Sequence, residues 1–294
     1  LLSVSKKIST GASMKYAIYV PNFDTFGSVH TLVELAKSAE RAGWDGFFLW
    51  DHLLPDADSA LGPVADPWIA LTAIAGATSR LRIGALVTAF PRRRPWKLAR
   101  ETVTLDHYSA GRLVVGAGIG GDWWREYSAF GESPDNRVHG DMLDEGLDVL
   151  TGLWTGNPVT YQGKYYSVEN AHFLPPSFQT PRIPIWIAGV WSGTRPFRRA
   201  AQWDGIFPTG RNGTLTPDDI REMREYIAQY RTATTPFDIV FGGRAHEIAP
   251  ENRNAHVAEY ATAGVTWWLE SVWADVALAN VQSIIADGPP SPIK

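Results

Sequence analysis

Gly46-Phe47-Phe48-Leu49-Trp50-Asp51-His52 is the stretch that decides the fold. A glycine and four large apolar residues run without interruption into an acid and a histidine. Such a run suits a strand covered on both faces, as in a parallel sheet packed under helices. Upstream, Ser28 precedes a helical pattern over Val29–Ala42, where Leu32, Leu35, Ala36 and Ala39 share one face and Gly43 ends it. Downstream, Asp66-Pro67 is a favoured helix opening, and the pattern continues to about Ser79. The same alternation recurs on either side. Strand-like runs over Lys15–Val20, Leu81–Phe90, Arg112–Ala117, Ile185–Ala188, Asp204–Phe207, Phe237–Phe241 and Val265–Leu269 are each followed by a helical or helix-capped stretch. About eight such units predict an α/β fold, a (β/α)8 TIM barrel with insertions at its C-terminal rim. In that fold chemistry sits at the C-terminal strand ends, which draws attention to Asp51 and His52.

Residues 157–176 break the rhythm. Pro158-Val159-Thr160-Tyr161, Gln162-Gly163 and Lys164–Val168 read as a hairpin-like insertion. Residues 14–294 are expected to form a single domain, with residues 1–13 a disordered extension ahead of Met14. Of 294 residues, 45% are hydrophobic, and the net charge of −4 argues against a nucleic-acid partner held through phosphates. The absence of cysteine rules out disulfides and thiolate chemistry. No apolar run is long enough to span a bilayer, so no membrane partner and a cytoplasmic protein are expected.

His52 has two readings: an acid–base group on the upper rim, or a rim histidine bonded to backbone. Asp51 either orients it or points into the fold. Gly116–Gly121 lets a flat ligand or a phosphate approach backbone at Gly116 and Gly118, or makes a tight turn. Arg92, Arg93 and Arg94 offer charge to a phosphate or carboxylate, or are solvated. Gly189, Ser192, Gly193 and Thr194 stand between a strand and a helix, where a phosphate is at home. Trp50, Trp123, Trp124, Trp191 and Tyr127 are candidate walls of a pocket, although most of the 13 tryptophans belong in the core. No metal-ligand spacing and no nucleophile elbow occur, which points to a cofactor that carries the chemistry.

Taken together, several stretches resemble the bacterial luciferase-like superfamily of flavin- and deazaflavin-dependent oxidoreductases. They are residues 39–46 with Trp50-Asp51-His52, residues 78–84, residues 95–113, Gly116–Gly120, and residues 143–147 with Leu153-Trp154. Residues 184–189 and 199–205 add to the resemblance. It implies that His52 is the active-site histidine. It implies a non-prolyl cis peptide at Ala85-Leu86 behind the flavin ring, Thr88 bonded to that ring, and the 189–194 loop on the phosphate. Some deazaflavin-dependent members carry an acid directly after the glycine-rich strand end. Here Gly121 intervenes before Asp122, which weighs against Asp122 as a catalytic acid.

The first expectation is therefore a monooxygenase using reduced FMN and oxygen on a small organic substrate, served by a separate flavin reductase. The alternatives are a deazaflavin (F-420)-dependent oxidoreductase that transfers hydride, and a flavin-binding barrel without turnover. A homodimer is also implied by the resemblance.

Overall fold

The computed structural model describes residues 14–54, 62–191, 193–211 and 213–290. The expected extension over residues 1–13 lies outside them. Parallel strands alternate with helices in chain order: β1 (Lys15–Val20), α1 (Val29–Arg41), β2 (Gly46–Leu49), α2 (Pro67–Ala77), β3 (Arg82–Ala85), β4 (Thr88–Ala89), α3 (Pro95–Tyr108), β5 (Val115–Gly118) and α4 (Asn136–Trp154). After β6 (Pro158–Gln162) and β7 (Ser167–His172) the rhythm resumes with β8 (Ile185–Trp191), α5 (Thr194–Ala200), β9 (Gly205–Gly210), α6 (Pro217–Tyr230), β10 (Asp238–Gly243), α7 (Pro250–Ala263), β11 (Trp267–Ser271) and α8 (Leu278–Ala286). The strands pair in the order β3-β2-β1-β11-β10-β9-β8-β5-β4. The run expected over Leu81–Phe90 is one barrel strand broken in the middle. Its halves β3 and β4 flank a cis peptide at Leu86-Val87, one residue beyond the expected Ala85-Leu86.

That break closes the cylinder. β4 pairs with β5, and β3 meets the chain just ahead of β5 through a parallel bridge between Ile83 and Leu113. β6 and β7 stand apart as an antiparallel hairpin. Several strands run past their apolar stretch: β8 to Trp191, β9 to Gly210, β10 to Gly243 and β11 to Ser271. The upper ends of β9, β10 and β11 are polar or glycine-rich, so hydropathy alone cuts those three short.

Strand alternation sorts side chains into two cores. Ala17, Phe48, Trp186, Phe207, Val240, Trp267 and Leu269 fill the barrel, with Tyr19, Val87 and Ala188 partly exposed among them. Phe48, Trp186 and Trp267 meet at ring separations of 5.4 to 5.9 Å. The intervening residues, such as Ile18, Phe47 and Ile187, face the helices. Caps fix where those helices begin. Asp66 accepts from Ile69 N at 2.9 Å, and Thr216 with Asp219 forms a reciprocal capping box.

The closing seam tolerates no added atom at Gly84. A Cβ there would lie 2.2 Å from the Val114 carbonyl oxygen, while the Val114 N–H is bonded to Ile83 O at 2.9 Å. Backbone cannot yield without opening the seam. Gly84→Ala is expected to destabilise by about 2–3 kcal/mol. Urea unfolding checks this: the midpoint falls and the slope is unchanged.

Candidate active site

The alternation that places Phe48 inside the barrel continues past the end of β2. It turns Trp50 and His52 toward the mouth and Asp51 outward. Asn22, fully buried after β1, then clamps the histidine backbone. Its Oδ1 accepts from His52 N at 3.1 Å, and its Nδ2 donates to His52 O at 2.9 Å and to Ala65 O at 2.8 Å.

His52 is oriented by Glu126, a residue the sequence reading passed over. Glu126 lies in the segment after β5 and brings Oε2 to 3.0 Å from His52 Nδ1. Its Oε1 accepts from Leu53 N at 2.5 Å and Leu54 N at 3.3 Å. Arg92 Nη1 lies 2.9 Å from the same oxygen, off the hydrogen-bond direction, as a charge contact. The carboxylate is 2% exposed and the imidazole 19%. Burial alone would raise the Glu126 carboxyl, but His52, Arg92 and the Leu53 N–H hold it below the usual carboxylate range. An ionised carboxylate only accepts, so Nδ1 carries the proton and Nε2 is left for a ligand. The only sequence-level sign of Glu126 was a lone acid between aromatic and basic neighbours, 74 positions from its partner.

Asp51 does not orient His52. Its buried carboxylate accepts from Arg93 Nη2 at 2.9 and 2.8 Å, and its carbonyl accepts from Arg92 Nη2 at 2.7 Å. Two of the three clustered arginines are therefore committed within the protein and not free for a phosphate. Asp51 instead locks the end of β2 to the segment after β4.

Of the aromatic residues expected to border a pocket, Trp124 and Trp50 stand beside His52. Trp124 lies 4.3 Å from the imidazole, centroid to centroid, with Trp50 at 5.8 Å and Phe23 at 5.9 Å. Trp50 in turn meets Trp273 at 5.3 Å and Tyr19 at 5.8 Å. Trp123, one residue earlier, is 75% exposed and lies over Gly121. Tyr127 is buried, donates to Ile119 O at 2.6 Å and lies against His139, so it braces the segment from within. Asp122 accepts from Tyr127 N at 2.8 Å and Ser128 N at 3.0 Å and holds the turn.

The glycines and the β3–β4 break are packing devices. A Cβ at Gly116 would lie 2.4 Å from Ala85 O, and one at Gly118 would lie 2.7 Å from Val87 Cγ2. The space that a ligand was expected to enter is filled by the chain at the break. Ala85 and Leu86 are buried, and Tyr19 OH donates to Leu86 O, leaving Val87 as the partly exposed member. Thr88 is buried with an Oγ1 that has no partner among the described residues. Gly189 admits Pro196, whose Cβ would be 2.4 Å from an added Cβ. Gly193 caps α5 and spends its N–H on Val190 O at 2.9 Å, while Thr194 begins the helix. Ser192 lies outside the described residues.

A family model described as luciferase-like monooxygenase matches residues 10–282. An F420-dependent glucose-6-phosphate dehydrogenase of Microbacterium testaceum is 34% identical over 171 residues, covering 58% of this chain and 49% of that protein. The chain spans roughly half the length of such curated relatives. Among solved structures, an F420-dependent secondary alcohol dehydrogenase in complex with an F420–acetone adduct superposes with a TM-score of 0.78 at 17% identity, over 95% of this chain and 99% of its own. The monooxygenase RslO1 from Streptomyces bottropensis superposes with a TM-score of 0.72 at 20% identity, over 92% and 96%. These last two likenesses speak to the fold alone.

Proposed function

The chain belongs to the luciferase-like monooxygenase family, and on that premise we propose that it is a deazaflavin-dependent oxidoreductase in which His52 moves the proton that accompanies hydride transfer. The observation that carries this reading is the ion-held imidazole: a buried carboxylate fixes Nδ1–H and leaves Nε2 for the reacting oxygen. The reading that put reduced FMN and oxygen first has less support, because two curated relatives above 30% identity are named as F420-dependent enzymes.

The residues present fit a flat, apolar-faced ring with polar edges. Val87 and Ala188 are the partly exposed side chains at the top of the barrel core. Thr88 Oγ1 and Trp50 Nε1 are buried donors without a partner among the described residues. Val87, Ala188 and Thr88 would hold the ring. When bound, the deazaflavin supplies a carbon centre that takes or gives a hydride and leaves oxygen unactivated. His52 Nε2 accepts the hydroxyl proton in the oxidising direction and returns it in the reducing one. Glu126 stabilises the imidazolium between those events, and Trp124 and Trp50 restrict water around it.

Titration with the deazaflavin coenzyme and with FMN, each oxidised and reduced and followed by tryptophan quenching, tests the proposal. Micromolar binding of the deazaflavin is the expected result. Binding of FMN alone would overturn it in favour of oxygen chemistry.

A further inference from the structure

We propose that Arg92 is a positioning residue that acts through Glu126: its charge keeps the resting His52 imidazole neutral, with Nε2 free to accept a proton. This deepens the reading of His52 as the proton-transfer group and rests on it.

Arg92 meets the carboxylate as a charge and not as a hydrogen-bond donor. Its Nη1 lies 2.9 Å from Glu126 Oε1 yet has no hydrogen-bond partner among the described residues, and that oxygen accepts from Leu53 N at 2.5 Å instead. Other contacts hold the guanidinium in place. Its Nη2 donates to Asp51 O at 2.7 Å, and its central carbon lies 5.9 Å from the Tyr127 ring centre. A neutral amide side chain would keep a donor for Asp51 O, so what arginine adds beside Glu126 is its positive charge.

The balance of charge around the histidine decides its resting form. Among the described residues, the ionisable groups of this cluster are Asp51 after β2, Arg92 and Arg93 after β4, and Glu126 and Tyr127 after β5. Asn22, Phe23, Trp50 and Trp124 also meet the histidine and carry no charge. Burial pushes the Tyr127 phenol up, so it stays neutral. Burial also pushes Glu126 up, but His52, Arg92 and the Leu53 N–H more than offset this, and it stays ionised. Two carboxylates therefore face two guanidiniums, and none of these four side chains is more than 19% exposed. The set is balanced while the imidazole is neutral. A proton on Nε2 leaves one positive charge in excess, which a buried site disfavours. Without Arg92 the preference reverses: the neutral imidazole leaves one negative charge in excess, and an imidazolium beside Glu126 cancels it. A histidine that rests protonated has no lone pair for a hydroxyl proton, so Arg92 is what leaves His52 ready to act as a base.

Imidazole nitrogen NMR of the full chain, with no coenzyme added, tests this across a pH series. The His52 signals are assigned by their absence from His52→Ala, and Nε2 reports the added proton directly. In Arg92→Gln that proton is expected to bind at a pH about one unit higher than in the parent, a tenfold gain in affinity. Arg92→Lys keeps the charge and should stay within about a third of a unit of the parent. A displaced backbone would move both variants alike. The double variant Arg92→Gln/Glu126→Gln removes both charges of the contact, so it keeps the test decisive if Arg92→Gln alone does not fold. Read against Glu126→Gln, it should again bind the proton about one unit higher. An Arg92→Gln titration that coincides with the parent's overturns the proposal. So does an Arg92→Lys titration that follows Arg92→Gln, or a double variant that coincides with Glu126→Gln. The coenzyme reading is tested apart from this one. Binding of FMN alone sinks that reading and leaves the proton state of His52 as measured, and unmoved nitrogen signals sink the role of Arg92 alone.

Discussion

His52→Ala lowers the rate of the chemical step about 10³-fold, within the range removed when a positioned acid–base group is lost. Coenzyme affinity stays within about threefold of the parent, because the residues assigned to the ring are Val87, Ala188 and Thr88. The separation follows from the geometry. The imidazole is held at Nδ1 by Glu126 and at its backbone by Asn22, so its contribution is a fixed Nε2 and not bulk. Single-turnover reduction of the bound deazaflavin by an alcohol measures the step directly. Added imidazole should recover part of the lost rate in the alanine variant, since the cavity it leaves is walled by Trp124 and Trp50. A loss of less than tenfold would remove His52 from the proton path.

Replacing Glu126 by alanine acts on rate and stability together. The imidazole loses the acceptor that fixes its tautomer, and turnover is expected to fall about 10²-fold with little change in substrate affinity. Arg92 meanwhile keeps its Asp51 carbonyl but loses its nearest counter-charge, with the Asp51 carboxylate remaining at 3.8 Å. Breaking one side of a buried ion pair leaves a destabilisation of about 3 kcal/mol. Glu126→Gln keeps shape and the Leu53 contact, so it should recover most of the stability and little of the rate. The pH dependence has a definite sign. The folded-state value of Glu126 is lowered, so the stability it contributes is complete above the ordinary glutamate value. It is lost as pH falls through the lower, folded-state value. Acid unfolding of the parent and of Glu126→Gln should therefore converge below that window and separate above it. Parallel acid-unfolding curves would show that Glu126 contributes no such linkage.

The barrel was legible because its evidence is local. The apolar run at residues 46–50, the Asp66-Pro67 cap and the Ser28 and Thr216 caps are read from neighbours within one turn or one strand, and each is present. Strand ends were less legible, since Gly210, Gly243 and Ser271 pair as strand without apolar character. The break at residues 86–87 has no sequence signature, and it appeared one residue from where the family resemblance put it. Among site residues, His52 was found by its place after an apolar strand. Glu126 was not, because its partner is remote in sequence and the intervening chain includes three strands and two helices.

By itself, the sequence determined that strands and helices alternate, that the count closes a barrel and that His52 stands at the rim. Periodicity and caps depend on contacts between near neighbours, and a chain writes those in order. Only the tertiary structure decided that Asp51 turns outward to Arg93 and that Glu126 takes its place on the histidine. It likewise decided that Trp124 and not Trp123 faces the imidazole, and that Gly116 and Gly118 make room for the chain at residues 85–87. Each of these is a choice between adjacent residues or between equivalent charges. The choice is made by which face of a strand or loop meets a distant segment, and composition and spacing are the same for either outcome.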